Sequence, residues 1–210
     1  MYKNPVNPKL FSAWNKNKQI NKYFNSKSVG KCMKLIDDYY HSTDMFSAIG
    51  WENYYLTPQR EDRLGVIIET IVNILGASEN DVYQYVFHRV LGQTYNGYVT
   101  ELNIIDELQN HFPELDMLKS TYELDEKYFT DFECYSDDTL VFGSQIKPIS
   151  YKYMSTPYQK RAKQNHEEQR KAYIDKYKAP HFMIFYDNGQ IIDKEKILDK
   201  INIILHFQII

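Results

Sequence analysis

Apolar residues recur every three or four positions through much of the first half of the chain, and this spacing predicts helices. The predicted helices cover 31–41, 59–75, 79–91 and 98–111. Gly76 is expected to lie just beyond the second helix, where glycine is favoured, and Pro113 is expected to end the fourth. The segment 92–97, which contains two glycines, is predicted to be a loop. Residues 1–30 suit short helices or an extended arm.

The second half changes to short runs of β-branched and aromatic residues, which predict strands. The predicted strands cover 117–124, 128–136, 140–150 and 181–187. A long basic helix is expected over 157–177, because Pro157 suits a first helical position, and an amphipathic helix is expected over 193–204. The order from residue 98 to 187 is therefore α-β-β-β-α-β, which predicts an α+β fold with a helical segment before it.

Two of these strands are predicted to form an antiparallel hairpin around the turn Asp137-Asp138. If the turn centres on Asp138, Asp131 lies opposite Gln145. Side chains alternate between the two faces of a strand, so one face of the hairpin is expected to carry Asp131, Glu133, Gln145 and Lys147. Two acids, an amide and an ammonium group are costly to pack together without a ligand. A divalent metal and a scissile phosphate would account for them.

This arrangement resembles the PD-(D/E)xK nuclease superfamily, in the variant whose second acid is replaced by Gln. Thr130-Asp131 stands at the position of the family's Pro-Asp, and Gln145-Ile146-Lys147 stands at the (D/E)xK tripeptide. The string Gln-Ile-Lys-Pro is similar to type II restriction endonucleases, most nearly the MjaI-like group. The resemblance covers roughly residues 96–187 and implies a restriction-endonuclease-like core with a mixed sheet over 96–210. We expect the helical region 1–95 to be a subdomain that contacts DNA or mediates dimerisation.

The resemblance also implies roles for individual side chains. Asp131 would bind Mg²⁺, and Gln145 would either lend its amide oxygen to the metal or only hydrogen-bond to Asp131. A neutral ligand removes one negative charge, which Glu133 or Glu101 could restore. Glu101 is a candidate because members of the family often contribute a Glu from the helix before the hairpin; it could also be a favourable acid at a helix N-terminus. Lys147 would orient or activate the attacking water.

Non-catalytic explanations remain open for the same residues. Asp131 could cap a turn at the end of a strand, and Lys147 could be a solvated strand lysine. His166 and His181 have no partners at metal-ligand spacing, so both are expected to be polar surface or loop residues. The sequence alone does not choose between these explanations and the catalytic ones.

Charge is distributed unevenly, although the net charge is only −3. Residues 1–34 hold eight Lys and no Asp or Glu, residues 35–150 carry a balance of −15, and residues 151–210 carry +4. A basic N-terminal arm and a basic C-terminal helix could therefore contact phosphates. The candidate DNA-binding residues are Lys16, Lys18, Lys22, Lys160, Arg161, Lys163, Arg170 and Lys171. The alternative is a lysine-rich, solvated surface.

Several features bear on the compartment. The chain has two cysteines, Cys32 and Cys134, and Cys134 is expected on the core face of the hairpin. A disulfide is therefore not expected, which favours a reducing cytoplasm. No apolar run reaches the length of roughly 18–20 residues that a membrane span needs, and the first residues lack the apolar core of a signal peptide.

These observations favour a Mg²⁺-dependent type II restriction endonuclease that cuts double-stranded DNA and leaves 5′-phosphate ends. Palindromic sites favour a two-fold homodimer, and the MjaI-like resemblance implies a four-base site such as CTAG. A companion DNA methyltransferase would complete the restriction system. The first rival is another nuclease of the same fold, acting in repair or junction processing. The second is a non-catalytic DNA-binding or toxin-like interaction protein in which Gln145 marks decay of the site.

Overall fold

The computed structural model describes residues 7–208, and the chain divides into two compact units, residues 1–99 and 100–210. The first six residues of the predicted basic arm lie outside the described range. The first unit is helical: α1 Pro8–Lys16, α2 Lys18–Asn21, α3 Ser26–Val29, α4 Cys32–Ser42, α5 Ala48–Tyr55, α6 Pro58–Leu75 and α7 Glu79–Phe87, followed by a π-helical turn His88–Gly92 and α8 Gln93–His111. The division between the units falls within α8.

The apolar spacing of α6 explains how it forms and what it buries. Leu64, Ile67, Ile68 and Ile71 are all buried, as their helical spacing predicted. The helix ends at Gly76, whose φ of 60° lies in the left-handed region that favours glycine. Residues 8–29 form the three short helices α1 to α3, one of the two alternatives that their sequence suited.

The loop predicted over 92–97 is wrong. The chain stays helical from Glu79 to His111, with the π-helical turn His88–Gly92 between α7 and α8. Glycine inside a helix costs only about 1 kcal/mol, and burial of Val90, Leu91 and Tyr95 offsets that cost. The indole of Trp51 also donates a hydrogen bond of 3.2 Å to the carbonyl of Leu91, so this segment is held by tertiary contacts.

The second unit contains the sheet. Its elements after α8 are β1 Asp116–Lys119, α9 Tyr122–Tyr128, β2 Phe132–Ser136, β3 Thr139–Pro148, a 3-10 turn Ile149–Tyr153, α10 Pro157–Tyr177, β4 His181–Asp187, β5 Gln190–Ile191 and α11 Lys194–Gln208. The long basic helix and the strand over 181–187 have the predicted bounds. Thr156 caps α10 through a reciprocal capping box with Gln159, which fixes where the helix begins.

The five strands form one mixed sheet in the order β1-β2-β3-β4-β5. Neighbouring strands are antiparallel except β3 and β4, which are parallel. A parallel pair needs a crossover connection, and α10 supplies it. The predicted α+β class with a mixed sheet is confirmed, and it is consistent with a restriction-endonuclease-like fold.

The strand predicted over 117–124 is only half correct. β1 ends at Lys119, and Thr121 then caps α9 by accepting a hydrogen bond from the amide of Leu124. Acidic residues in the first turn, Glu123 and Asp125, favour the helix through its dipole. Because α9 runs to Tyr128, β2 begins later than residue 128.

The hairpin of β2 and β3 has the predicted register next to the candidate site. Phe132 pairs with Ser144 and Cys134 pairs with Phe142, so the same register brings Asp131 beside Gln145. The turn is made by Asp137 and Asp138, both with positive φ. This two-residue turn alone would shift the register by one, and a bulge between Cys134 and Tyr135 corrects it.

The two faces of the hairpin have different surroundings. One face packs into a hydrophobic core made by Ile104, Ile105, Leu108, Phe132, Cys134, Phe142, Ile146, Phe182, Ile184 and Ile201. Cys134 is fully buried there, as predicted. The opposite face of the hairpin carries Asp131, Glu133, Gln145 and Lys147. Within residues 7–208, no helix is both long and apolar enough to cross a membrane.

Candidate active site

Asp131 is a buried carboxylate held in place by the strands around it, with only 1% of its surface exposed. Its amide donates to the carbonyl of Ser144 at 2.8 Å, and its carbonyl accepts from the amide of Ser120 at 2.9 Å. Oδ2 accepts hydrogen bonds from the amide of Ile146, at 2.7 Å, and from the side chain of Gln145. These bonds leave the carboxylate little freedom of orientation.

Gln145 is fully buried, and only one end of its amide is used. Nε2 donates to Asp131. Oε1 has no hydrogen-bond partner among the described residues. Leaving a buried carbonyl oxygen unpaired costs about 1–3 kcal/mol, so this oxygen marks a place where a ligand would be stabilising.

Lys147 lies beside the same carboxylate. Nζ is 3.9 Å from Oδ2 of Asp131 and 4.8 Å from the ring centroid of Phe129. Burial by itself would lower the pKa of this ammonium group, but the charges of Asp131 and Glu101 outweigh it and raise the pKa. Lys147 is therefore a cation at neutral pH, fixed between an aromatic ring and an acid.

Glu101 approaches the cluster from α8 and forms an ion pair with Lys119. Oε2 of Glu101 is 3.2 Å from Nζ of Lys119 but lacks an aligned hydrogen bond. Burial, followed by the charge of Asp131, raises the pKa of Glu101 to about 7, although Lys119 and Lys147 act in the opposite direction. Because α8 begins at Gln93, Glu101 is interior to the helix, and a helix N-terminus does not explain it.

Lys119 is a site residue that sequence reasoning missed. Its ammonium group also donates to the carbonyl of Asp131 at 3.2 Å. Burial would lower the pKa of Lys119, but Glu101 and Asp131 raise it, so Lys119 stays charged. The sequence signal that could have identified it is strand alternation: Lys119 is two residues after the buried Met117 and therefore on the same face of β1. With Lys119 and Lys147 against Asp131 and Glu101, the cluster has equal numbers of positive and negative groups.

The structure does not bring Glu133 to this cluster. Its carboxylate accepts hydrogen bonds from the hydroxyls of Tyr173 and Tyr135, both at 2.8 Å. Glu133 shares a face with Asp131 but lies closer to the turn, where Tyr173 of α10 covers the sheet. Gly143 makes room for that ring, since a Cβ at this position would lie 2.6 Å from it. The carboxylate of Glu133 is therefore bound by two tyrosine hydroxyls and lies apart from the cluster.

The donor set at the site suits a hard cation. Among the described residues, no three His, Cys, Asp or Glu side chains are grouped as metal ligands. The oxygens available are the carboxylates of Asp131 and Glu101 and the unpaired Oε1 of Gln145. An all-oxygen set that includes one or two carboxylates fits Mg²⁺, which keeps several of its waters, better than it fits Zn²⁺.

The expectation that both histidines are polar surface or loop residues is wrong for His181, whereas His166 is only partly buried. His181 is buried at the start of β4, where Nε2 lies 3.1 Å from Oγ1 of Thr130. Arg170 donates to Nδ1 of His181 at 3.2 Å and to its carbonyl at 3.0 Å. His166 stacks on Phe129 with ring centroids 3.9 Å apart. The two imidazoles contact Phe129 and Thr130, the residues that precede Asp131, and so help to hold this segment in place.

His181 is expected to make the stability of the protein depend on pH. Burial, and then the charge of Arg170, lower the pKa of His181 from 6.5 to about 4. The unfolded state therefore binds a proton between these values while the folded state does not, so the free energy of unfolding falls as the pH is lowered from 6.5 to about 4. The difference corresponds to about 3 kcal/mol.

Chemical denaturation of wild type and His181→Gln at several pH values measures this contribution. The difference in free energy of unfolding between the two proteins should shrink as the pH approaches 4. His111→Gln, at an exposed histidine near the end of α8, serves as the control. A wild-type advantage over His181→Gln that stays constant from pH 7 to 4 would show that His181 does not titrate in this way.

The predicted DNA-binding residues are divided among different environments. Lys160, Arg161 and Lys171 are exposed on α10, and Lys16, Lys18 and Lys22 are exposed in the first unit. Lys163 is partly buried and donates to the carbonyl of Lys152 at 2.9 Å. Arg170 is bound by His181 and also by Glu167, at 2.6 Å, so its guanidinium group is already engaged.

The comparisons with known proteins agree with this geometry. The family model described as MjaI restriction endonuclease matches residues 9–194, which is most of the chain and includes every residue of the cluster. No curated protein and no solved structure matches the chain. The chain therefore belongs to the MjaI restriction endonuclease family, and it is a nuclease that hydrolyses DNA phosphodiester bonds.

Proposed function

We propose that the chain is a Mg²⁺-dependent type II restriction endonuclease that cuts both strands of a short palindromic site and leaves 5′-phosphate ends. The observation that carries the proposal is the pairing of a buried, oriented Asp131 with Gln145, whose Oε1 is buried and unpaired. Lys147 completes the pattern at 3.9 Å from Asp131. In a nuclease, these groups would stabilise a bound metal ion and the phosphate of the DNA.

Each site residue has a separate proposed role in hydrolysis. Mg²⁺, when bound, would polarise the phosphate and lower the pKa of a water molecule. Asp131 and Gln145 would hold it, with Asp131 fixed by the amide of Ile146. Lys147 would orient the attacking water and offset the charge that develops on phosphorus. Its own pairing with Asp131 keeps the ammonium in place before DNA arrives.

Glu101 and Lys119 adjust the charge of the site. Replacing the family's second acid with Gln145 removes one negative charge, and Glu101 is the acid positioned to restore it. Lys119 holds Glu101 at 3.2 Å and is the neighbouring charge that most lowers its pKa. We infer that Glu101 serves as a metal ligand or contacts a metal-bound water, and that Glu133 has no part in the site.

Substitutions of Gln145 test this proposal most sharply. Gln145→Glu should keep Mg²⁺ binding and cleavage, or shift the metal preference, because it restores a carboxylate at the same reach. Gln145→Ala should weaken Mg²⁺ binding by about 10–100-fold, the loss typical of a disturbed ligand shell. Isothermal titration calorimetry with Mg²⁺ measures binding, and single-turnover cleavage measures the chemistry.

Gln164→Ala, at an exposed glutamine on α10, is the matched control and should behave as wild type. If Gln145→Ala binds Mg²⁺ and cleaves DNA as well as wild type, Gln145 is not a ligand and the proposed metal set is wrong.

The remaining parts of the proposal concern DNA and partners. Lys160, Arg161 and Lys171, exposed on α10, would contact phosphates, and the helical first unit would contact DNA or mediate dimerisation. Palindromic recognition favours a homodimer, because two-fold symmetry in the protein matches two-fold symmetry in the site. Such an enzyme would act in the cytoplasm beside a companion DNA methyltransferase that protects the host sequence.

A further inference from the structure

A cavity of about 320 Å³ lies beside Lys147, and the reaction described above does not use it. Aromatic rings from four segments line it: Phe129 after α9, Tyr151 in the 3-10 turn, His166 on α10 and Phe185 on β4. Phe129 joins the cavity to the candidate active site, because its ring centroid also lies 4.8 Å from Nζ of Lys147. The cavity is therefore one side chain away from the proposed catalytic lysine.

Three of the rings are stacked on one another. His166 is nearly parallel to Phe129, at 13°, and to Tyr151, at 20°. The fourth ring, Phe185, is tilted by 35° against Tyr151, with their centroids 6.5 Å apart. Burial, and then the charge of Lys147, lower the pKa of His166, so its imidazole is uncharged at neutral pH. A ligand with a flat, uncharged ring would stack on these side chains.

Two lysines lie over faces of the aromatic rings, and the acid that lines the cavity, Glu167, is paired with Arg170 at 2.6 Å. Nζ of Lys152 is 4.2 Å from the ring centroid of Phe185, and Nζ of Lys163 is 5.4 Å from that of Tyr151. Lys163 is held in position by its bond to the carbonyl of Lys152. A site for phosphate alone would need only the cations. Four rings together with cations fit a ligand that has both a flat base and a phosphate.

We propose that this cavity holds one nucleobase that leaves the stack of the bound duplex at the cleavage site, with Lys152 and Lys163 on the neighbouring phosphates. The inference rests on the proposed function, because Lys147 is what places the scissile phosphate next to the cavity. Extruding a base costs a few kcal/mol. Stacking on aromatic side chains returns about 1–3 kcal/mol per base, and the volume is at the small end of the range for ligand pockets.

The first test uses the full-length protein and small probes. The four deoxynucleoside 5′-monophosphates and base-free deoxyribose 5-phosphate are titrated, with NMR chemical shifts or calorimetry as the readout. At least one nucleotide should bind roughly tenfold more tightly than the sugar phosphate, given the stacking energy of a base. Equal affinity for both, or no binding by any nucleotide, would overturn the proposal.

Variants assign the binding to the cavity. Tyr151→Ala should weaken nucleotide binding by about 5–100-fold, as expected for the loss of one stacking face. Phe185→Leu is a second, milder change in case the first variant does not fold, which circular dichroism would reveal. Tyr158→Ala is the control, because Tyr158 is 83% exposed and does not line the cavity. Unchanged binding in a folded Tyr151→Ala or Phe185→Leu protein would contradict the proposal.

The second test concerns extrusion from duplex DNA. Single mismatches are placed at each position of the cleaved sequence, and binding is measured with Ca²⁺ in place of Mg²⁺. A mismatch lowers the cost of extrusion, so one position should bind more tightly than the matched duplex in wild type, and Tyr151→Ala should lose that gain. Weaker binding at every mismatched position would overturn the proposal. Continued cleavage of matched DNA in that case would show that the proposed function stands without the base pocket.

Discussion

Asp131→Asn is expected to lower the rate of DNA cleavage at least about a thousandfold, the loss typical when a group that stabilises the transition state is removed. Asparagine has nearly the same shape as aspartate, so the packing around position 131 should survive. It removes the negative charge that would bind Mg²⁺ and that pairs with Lys147 at 3.9 Å. The loss should therefore appear in metal binding and in the chemical step, and circular dichroism should show an unchanged fold.

Single-turnover cleavage with enzyme in excess measures this effect without the step of product release. Asp138→Asn is the matched control, because Asp138 is an exposed acid in the turn of the same hairpin. Its φ of 64° is one that asparagine also adopts readily. If Asp131→Asn cleaves at the wild-type rate, Asp131 does not hold the metal and the site must lie elsewhere.

Lys147→Met is expected to reduce cleavage by about 100–1000-fold, the range seen when one donor to a developing oxyanion is removed. Methionine keeps an apolar stem against Phe129 but lacks the ammonium group. Binding to duplex DNA in Ca²⁺ should change much less than the cleavage rate, because Lys147 is proposed to act on the reacting phosphate.

Lys160→Met provides the contrasting control for this prediction. Lys160 is exposed on α10. Loss of this lysine should weaken DNA binding and reduce the salt dependence of that binding by about one phosphate contact. The single-turnover cleavage rate at saturating DNA should stay the same. A Lys147→Met protein that cleaves normally once saturated with DNA would show that Lys147 only contributes to binding.

Local signals were enough to predict the long elements of the second unit. α10 begins and ends where predicted, because Thr156, Pro157 and Gln159 are a helix start signal that does not depend on the rest of the protein. The hairpin register also followed from the alternation of side chains, although the structure reaches it through a tight turn and a bulge. α6 was predictable for the same reason, since its apolar stripe matches the helical repeat.

The failures occur where distant parts of the chain decide the outcome. Trp51 and the buried side chains around Leu91 keep the backbone helical through the two glycines that suggested a loop. Lys119 belongs to the site because Glu101 and Asp131 surround it, and neither is near it in sequence. His181 is buried because Arg170 and Thr130 satisfy its ring nitrogens.

The choice between the two candidate acids shows the same limit. Alternation places Glu133 on the face of Asp131, and it gives no sign that the hydroxyl of Tyr173, forty residues later, donates a hydrogen bond to Glu133. Glu101 was suggested only by the resemblance to known nucleases. The structure places it against Lys119, with its pKa raised to about 7 by burial and by Asp131. Contacts with distant side chains, rather than the alternation along the strand, decide which of the two acids lies beside Asp131.

Sequencing of the ends produced from plasmid DNA tests the proposed function most directly. Wild-type protein with Mg²⁺ should give discrete fragments whose ends carry 5′-phosphates and share one short palindromic sequence, and EDTA should abolish cleavage until Mg²⁺ is added in excess. A repair or junction nuclease of the same fold would instead cut at structures or lesions and give no shared sequence. Ends without a common sequence, or cleavage that continues in EDTA, would contradict a Mg²⁺-dependent type II restriction endonuclease.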